Sequence, residues 1–451
     1  MRTITSLIFI LFIPFLIFIT TNTYAVCTDQ GNTPSGGDII VCDTNAPNPD
    51  TNGVVGTANG DEITVDAGAG VDFNAGPGID TGEGDNIVII NNGDTANDVV
   101  IGDTQGISAR SGNDDITVNG GFILGNINDG IFTRGGEDTV TVNNGTIEGF
   151  TGINTAADND IIIINNVFID GRVRGIRGGD GNDQITIESG TIIGATEFGI
   201  GTEEGDDTVV INSNPGPTLI KGDTQGILTS SGNDDVTVNG ATIEGNINDG
   251  IFLSSGNDMA TVNNANISTN ATGLGGGSGD DILNVDNSVI MGDPNAIRGG
   301  SGNDTITIRN CSEILGDIQA GRPPDTPDID IVDLGNLRTL TGTIRGGAEN
   351  DTLIFSQTLD NDQNCIDIKN QIATLNPASD SITIAGITYI FSEFETIQDN
   401  ISCTQLILCV FAPGNGKGCS LAPTGSGSFE SLAIFALIPA VILFRRLKRK
   451  K

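Results

Sequence analysis

The stretch Gly-Asn-Asp-x-Ile-x-Ile is clearest at residues 302–308 (GNDTITI), and variants of it recur through most of the chain. The first aspartates that precede an x-apolar-x-apolar run are Asp61, Asp85, Asp114, Asp138, Asp160, Asp183, Asp207, Asp234, Asp258, Asp281, Asp304, Asp330 and Asp351, most of them 22 to 24 residues apart. A fixed period of this size means one supersecondary unit stacked many times, because a unit so short cannot bury its own apolar face. Any fold for this chain has to satisfy that period first.

Within the period each unit reads as three short segments separated by Gly, Asn and Asp. In the unit that begins at Asp138 they are residues 139–142, 146–148 and 152–153. Alternation at period two marks strands, and the Gly and Asn between them mark turns. The first segment supplies apolar pairs such as Ile116 and Val118, Val140 and Val142, and Ile306 and Ile308. Ile123, Ile147, Ile192, Ile243 and Ile267 give a second ladder, and Ile107, Ile131, Ile153, Ile176, Ile200, Ile227 and Ile251 a third. Three β-rich ladders on one period describe three parallel sheets wound round one apolar interior. The pattern resembles the right-handed parallel β-helix of pectate-lyase-like and bacterial adhesin passenger domains, here all-β with about 13 coils stacking to roughly 60 Å at ~4.8 Å each.

A second level of repetition lies above the first. Residues 222–227 (GDTQGI) repeat residues 102–107, and residues 246–252 (NINDGIF) repeat residues 126–132, both at an offset of 120. Such block copying suits a rod, in which a coil contacts only its neighbours. The repeats are assigned to residues 57–355. Residues 26–56 are expected to cap the first coil, hiding its open edge. After Phe355 the pattern changes: Cys365, Ile368, Ile372 and Leu375 fall at helical spacing, and residues 381–391 read as a hairpin around Gly386. Residues 356–412 are therefore the predicted α+β C-terminal cap.

The two ends suggest export. Residues 1–25 carry Arg2, an apolar run from Leu7 to Ile19 and a polar stretch ending in Ala25, the pattern of a cleavable signal peptide. Residues 413–428 form a linker containing the motif Leu421-Ala-Pro-Thr-Gly425. Residues 429–444 are mostly apolar, and residues 445–451 are a basic tail expected to stay cytoplasmic. Motif, apolar segment and basic tail in this order resemble bacterial C-terminal sorting signals, although the proline stands one place late. A plain membrane anchor is the other reading of the same segment.

Export bears on the seven cysteines, because disulfides persist outside the cytoplasm. Cys27 and Cys42 flank the start of the repeats and are expected to staple it. The connectivity of Cys365, Cys403 and Cys409 is open, and the odd count leaves Cys419 as the expected free thiol. Taking away the seven cations of the two end segments moves the formal net charge from −38 to −45. A surface so acidic repels nucleic acid and favours cations. The chain has no histidine, which excludes histidine-based catalysis and histidine metal sites.

The aspartate column is where chemistry is expected. Carboxylates ~5 Å apart at the same corner of successive coils repel by roughly 3–4 kcal/mol at an effective dielectric near 20. Calcium, which takes carboxylate and carbonyl oxygens, would relieve this. Residues 178–183 (GGDGND), 276–281 (GGSGDD) and 299–304 (GGSGND) resemble the GGxGxD calcium loops of the RTX (hemolysin-type) family, with one loop per coil. That resemblance implies calcium at Asp183, at Gly276, Gly277, Gly279 and Asp281, and at Gly299, Gly300, Gly302 and Asp304. The alternative is that Gly-Asn-Asp is plain corner chemistry, with Asn and Asp capping turn amides and facing water. Arg172, Arg174 and Arg177 are expected to partner Asp180 and Asp183 rather than a substrate.

These features predict an exported cell-surface structural or adhesin-like rod without enzymatic activity. Its expected partners are calcium, surface glycan or other surface proteins, and copies of itself in a calcium-dependent layer. A glycan lyase or hydrolase on the same fold is the alternative, and would need a coil that breaks register and gathers acids and bases. The longest intervals, Asp85 to Asp114 and Asp207 to Asp234, are where that break could fall, although Pro215-Gly-Pro217 reads as a simple loop insertion.

Overall fold

The computed structural model describes residues 26–43, 53–91, 99–321, 328–348, 350–359, 363–403, 407–411 and 417–421. The predicted leader, the apolar segment 429–444 and the basic tail lie outside them. Among the described residues no helix is long and apolar enough to cross a membrane.

The repeats wind into a parallel β-solenoid of about 12 turns. Its three faces follow the three predicted ladders in strict register. On the first face Ile116, Val140, Ile162, Ile185, Val209, Val236, Ala260, Leu283, Ile306, Val332 and Leu353 stack one on the next. The second face stacks Ile123, Ile147, Ile169, Ile192, Ile220, Ile243, Ile267, Ile290 and Ile314. The third runs from Ile79 through Ile107, Ile131, Ile153, Ile176 and Ile200 to Ile344. All these side chains are buried. Each stabilises the folded state by roughly 1.5–3 kcal/mol relative to exposure, so the core is a repeated small increment rather than one large cluster.

The corners need glycine for a steric reason that is clearest at Gly277 and Gly300. Their φ angles are +127° and +138°, and a Cβ would stand 2.0 Å from the Ser254 carbonyl oxygen and 1.9 Å from that of Gly277, in the coil beneath. The same positive φ occurs at Gly279 and Gly302. Coils are thus close-packed at the turn as well as along the strands.

At each end of the stack a hairpin pairs with the outermost coil. Strand Val26–Asn32 pairs antiparallel with Asp38–Asp43, which lies parallel to Glu62–Val65 of the first coil. The predicted Cys27–Cys42 disulfide holds this hairpin, with a sequence separation of 15. Closing a loop of that length stabilises by roughly 3 kcal/mol. Replacing both cysteines with serine should therefore speed amide hydrogen exchange in residues 26–43 while leaving the middle coils protected; uniform protection would show that the staple is dispensable. Cys311 and Cys365 are also disulfide-bonded. The expected free thiol depends on Cys403, Cys409 and Cys419, whose side chains lie outside the described residues.

At the other end, helix Gln363–Ile372 and the hairpin Ser379–Ile384/Ile387–Ser392 follow the last coil. Ile387–Ser392 and Thr396–Asp399 add to the third and first faces. Aromatic residues, scarce in the narrow interior, gather here: Phe355 packs edge-on against Tyr389 at 5.4 Å, and the Tyr389 hydroxyl accepts a 2.8 Å hydrogen bond from Gln357. The loop at Pro215-Gly-Pro217 lies between strands Thr208–Ile211 and Thr218–Gly222 and leaves their register with the following coil intact. Part of the longer interval, residues 92–98, lies outside the described residues.

A buried aspartate ladder and its carboxylate terminus

In Asp-x-Ile-x-Ile the aspartate has the same parity as the two core isoleucines, and side chains two apart on a strand point to the same face. The structure follows that parity. Asp114, Asp138, Asp160, Asp183, Asp207, Asp234, Asp258, Asp281, Asp304, Asp330 and Asp351 are all buried, none more than 2% exposed. The column lies inside the coil, at the end of the first face, so of the plain-corner alternative the capping of backbone N–H groups holds and the exposure to water does not.

Each Oδ1 has a fixed task. The Asp281 N–H donates to Asp304 Oδ1 at 2.9 Å, Asp304 N–H to Asp330 Oδ1 at 2.8 Å, and Asp330 N–H to Asp351 Oδ1 at 2.9 Å. The same bond links every rung back to Asp114. At most rungs the preceding residue is an outward Asn or Asp that makes the reverse connection; before Asp330 it is Ile329, which has no side-chain acceptor. Asn257 Oδ1 accepts the Asp280 N–H at 2.8 Å, and Asp280 Oδ1 accepts the Asn303 N–H at 2.8 Å. Asn113, Asn182, Asn233 and Asn303 likewise accept from the following coil. Asn233 and Asn303 also donate through Nδ2 to the outward Asp206 and Asp280 of the coil before, at 3.0 and 2.9 Å. Gly-Asn-Asp is thus a corner in which two side-chain ladders of opposite direction replace backbone pairing.

One rung differs from expectation. The anchor in the second coil is Asn86, which is buried, and Asp85 is exposed with its Oδ1 accepting the Asn113 N–H. The local order is Asp-Asn instead of Asn-Asp, so picking the first aspartate selects the outward residue. Asn86 also shows what the slot requires. Its Oδ1 accepts the Asp61 N–H at 2.9 Å, while its Nδ2 donates to the Gly84 carbonyl at 2.6 Å and to the Thr81 hydroxyl at 3.1 Å.

Where the rung is aspartate, the atom corresponding to that Nδ2 is Oδ2, and from Asp114 to Asp351 every Oδ2 is buried without a hydrogen-bond partner. Burial in such a site shifts a carboxylate toward the neutral acid. Burial is the largest cause at each rung, and it raises Asp160, Asp207, Asp258 and Asp281 to about 7, Asp183 and Asp330 to about 8, and Asp304 to about 9. At Asp138 the Thr133 hydroxyl pulls the other way, and the group settles at about 6. A proton on Oδ2 supplies the donor that the Asn86 amide supplies.

The residues predicted to hold calcium sit within this pattern. Gly178, Gly276 and Gly299 lie against the Oδ2 of Asp183, Asp281 and Asp304, where a Cβ would approach within 2.3, 2.3 and 2.4 Å. Other coils carry Thr133, Thr155 or Thr202 at the equivalent position, five residues before the rung. Asp281 and Asp304 are adjacent rungs, and Asp183 stands four coils earlier in the same column. The three are stacked rather than gathered around one point.

Carboxylates do converge at the C-terminal end. Asp328, Asp330 and Asp351 are buried, with one oxygen from each lying within 4.8 Å of the others. Asp330 and Asp351 each present an orphaned Oδ2, and the charges of Asp328, Glu393 and Glu395 further raise Asp351, which burial has already lifted, to about 6. The ladder itself ends where Glu395 accepts the Asp351 N–H at 2.8 Å. Asp328 was not singled out from the sequence, although Asp328-Ile-Asp-Ile-Val-Asp-Leu334 places it on the inward parity with Asp330, Val332 and Leu334.

The arginine cluster pairs differently from expectation. Arg174 and Arg177 bind Glu197 and Glu203 of the next coil, and Arg172 donates to the Gly125 carbonyl at 3.0 Å. Asp183 points inward, where the Arg177 charge still acts on it, and the ion-pair partners of Arg174 and Arg177 come from the coil stacked above.

No family model and no curated protein matches the sequence. Among solved structures, a hyperactive, Ca2+-dependent, β-helical antifreeze protein from an Antarctic bacterium is similar at a TM-score of 0.37 and 18% identity, covering 76% of this chain and 88% of that one.

Proposed function

We propose that this protein is an exported bacterial surface rod, a non-enzymatic spacer or adhesin held at the envelope by its C-terminal segment and stabilised by calcium at Asp328, Asp330 and Asp351. The observation that carries the rod reading is that, among the described residues, the core residues of all three faces stay in register from coil to coil, with register shifts confined to the corners between faces. A stack with this uniformity transmits length and stiffness. A glycosidase would need two carboxyl groups flanking a bound sugar, whereas the column carboxyls face the interior. Surface glycan, surface proteins and further copies of the chain are the partners such a rod would meet.

Calcium fits the terminal cluster because three carboxylate oxygens converge there, two of them orphaned, and calcium takes such hard oxygen donors. Carbonyls and water would complete its shell. A ligand that binds only the folded form raises its stability by about 2.7 kcal/mol at one hundred times Kd. The full chain in mild detergent should thus melt at higher temperature with calcium than with chelator, and Asp328→Asn should remove most of that increment. An unmoved midpoint in the parent protein sinks the calcium reading; a full increment in Asp328→Asn places the ion elsewhere.

A further inference from the structure

The block copied at an offset of 120 residues provides an internal control for one outward cleft. On the third face, the residue after each core isoleucine faces out. Register aligns Phe132, Asn154 and Arg177 in the first copy with Phe252, Gly275 and Arg298 in the second.

In the first copy this surface is closed by its own side chains. Asp129 Oδ1 accepts the Thr151 N–H at 2.9 Å, and its Oδ2 accepts from Asn154 Nδ2 at 2.9 Å. Asn154 Oδ1 accepts in turn from Arg177 Nη1 at 3.0 Å, and Glu203 binds the rest of that guanidinium. The second copy keeps the outer parts and lacks the middle. Asp249 Oδ1 still accepts the Thr272 N–H at 3.0 Å. Gly275 replaces the asparagine, and Gly321 stands where register would put the counterpart of Glu203. Arg298 Nε is left buried without a hydrogen-bond partner. A cleft of about 210 Å³ opens between Phe252 and Arg298, with Asp249, Ser254 and Ser278 along it.

We infer that this cleft is a binding site for one pyranose residue of a neutral glycan. The missing asparagine gave a donor to the aspartate and an acceptor to the arginine. Two adjacent sugar hydroxyls supply the same pair, one donating to Asp249 and its neighbour accepting from Arg298. Phe252 offers an apolar wall for the C–H face of the ring, and the serines offer further hydroxyl partners. A neutral sugar is favoured over an acidic one because Asp249 already offsets Arg298 and the chain as a whole carries a formal charge of −38. This refines the adhesion reading above by naming the partner's chemistry. Its test is binding in solution, which does not depend on surface location or on calcium.

Full-length protein in mild detergent would be titrated by ligand-observed NMR with the methyl glycosides of glucose, galactose, mannose and N-acetylglucosamine, and with methyl glucuronoside. At least one neutral glycoside should bind with Kd on the order of 1 mM, as single-residue sites do. Gly275→Asn, which restores the residue of the first copy, should weaken it at least tenfold with an unchanged circular dichroism melt. If that variant melts early, Arg298→Gln takes its place and the same loss is expected. Absence of binding across the panel overturns the inference, as does binding that neither variant weakens. Tighter binding of the glucuronoside overturns the neutral assignment.

Discussion

Between about pH 5 and pH 9 the thermal midpoint of this protein is expected to fall steeply when chelator is present. Asp138 is raised to about 6, Asp258 to about 7, Asp330 to about 8 and Asp304 to about 9, against 3.8 as the ordinary value, and Asp234 is raised as well. A raised acid contributes stability that is fully present below its unfolded pKa and is lost as pH rises through the folded one, because the folded state binds more protons over that interval. Each tenfold difference in proton affinity is worth about 1.4 kcal/mol. One such factor at every rung would be comparable with the ~5–15 kcal/mol by which a domain is ordinarily stable. Circular dichroism melts at pH 5, 7 and 9 read the effect directly. A midpoint that stays level or climbs would mean that the column is ionised and compensated by some other charge.

Substitution at a middle rung separates the two oxygens. Asp207→Ala removes the acceptor of the buried Asp183 N–H and leaves a small void, with an expected loss of about 2–4 kcal/mol. Asp207→Asn keeps the acceptor and adds the donor already present at Asn86. It should be nearly neutral at pH 5 and stabilising by about 1–3 kcal/mol at pH 8, where the aspartate must otherwise ionise or hold its proton against the solvent. Denaturant midpoints at the two pH values give both numbers. Equal losses in the two variants would show that the carboxyl contributes something an amide cannot.

The period, the three ladders, the disulfide at the start and the helix-then-hairpin close were all readable in the chain, because each follows from short-range alternation and from where it stops. The direction of the aspartates was readable too. Asp304, Ile306 and Ile308 share one parity, and taking that seriously turns the expected charged corner into an interior ladder. Composition argued the other way, since an acidic residue in a highly acidic chain is by default placed in water. What alternation cannot show is which coils stack beside a given side chain. Glu197 and Glu203 as partners of Arg174 and Arg177, and the convergence of Asp328 with Asp351, depend on contacts one coil away, and the variable insertions between anchors hide that spacing. The cleft at Phe252 became visible only through differences between two copies of one block, where Gly275 replaces an asparagine and Gly321 a glutamate.

The paired ladders have a consequence for how such a molecule changes over generations. Most coils end in the same coupling: a buried carboxyl that receives an N–H from the coil before it, and an amide or carboxyl on the outside that receives one from the coil after it. A coil that keeps this coupling can therefore stack on another that keeps it, irrespective of what its outer strands display. A block of coils can be inserted by gene duplication without new joints having to evolve, and the copied block at offset 120 is the trace of one such event. Length and surface chemistry are then free to vary separately, the first in whole coils and the second one exposed residue at a time.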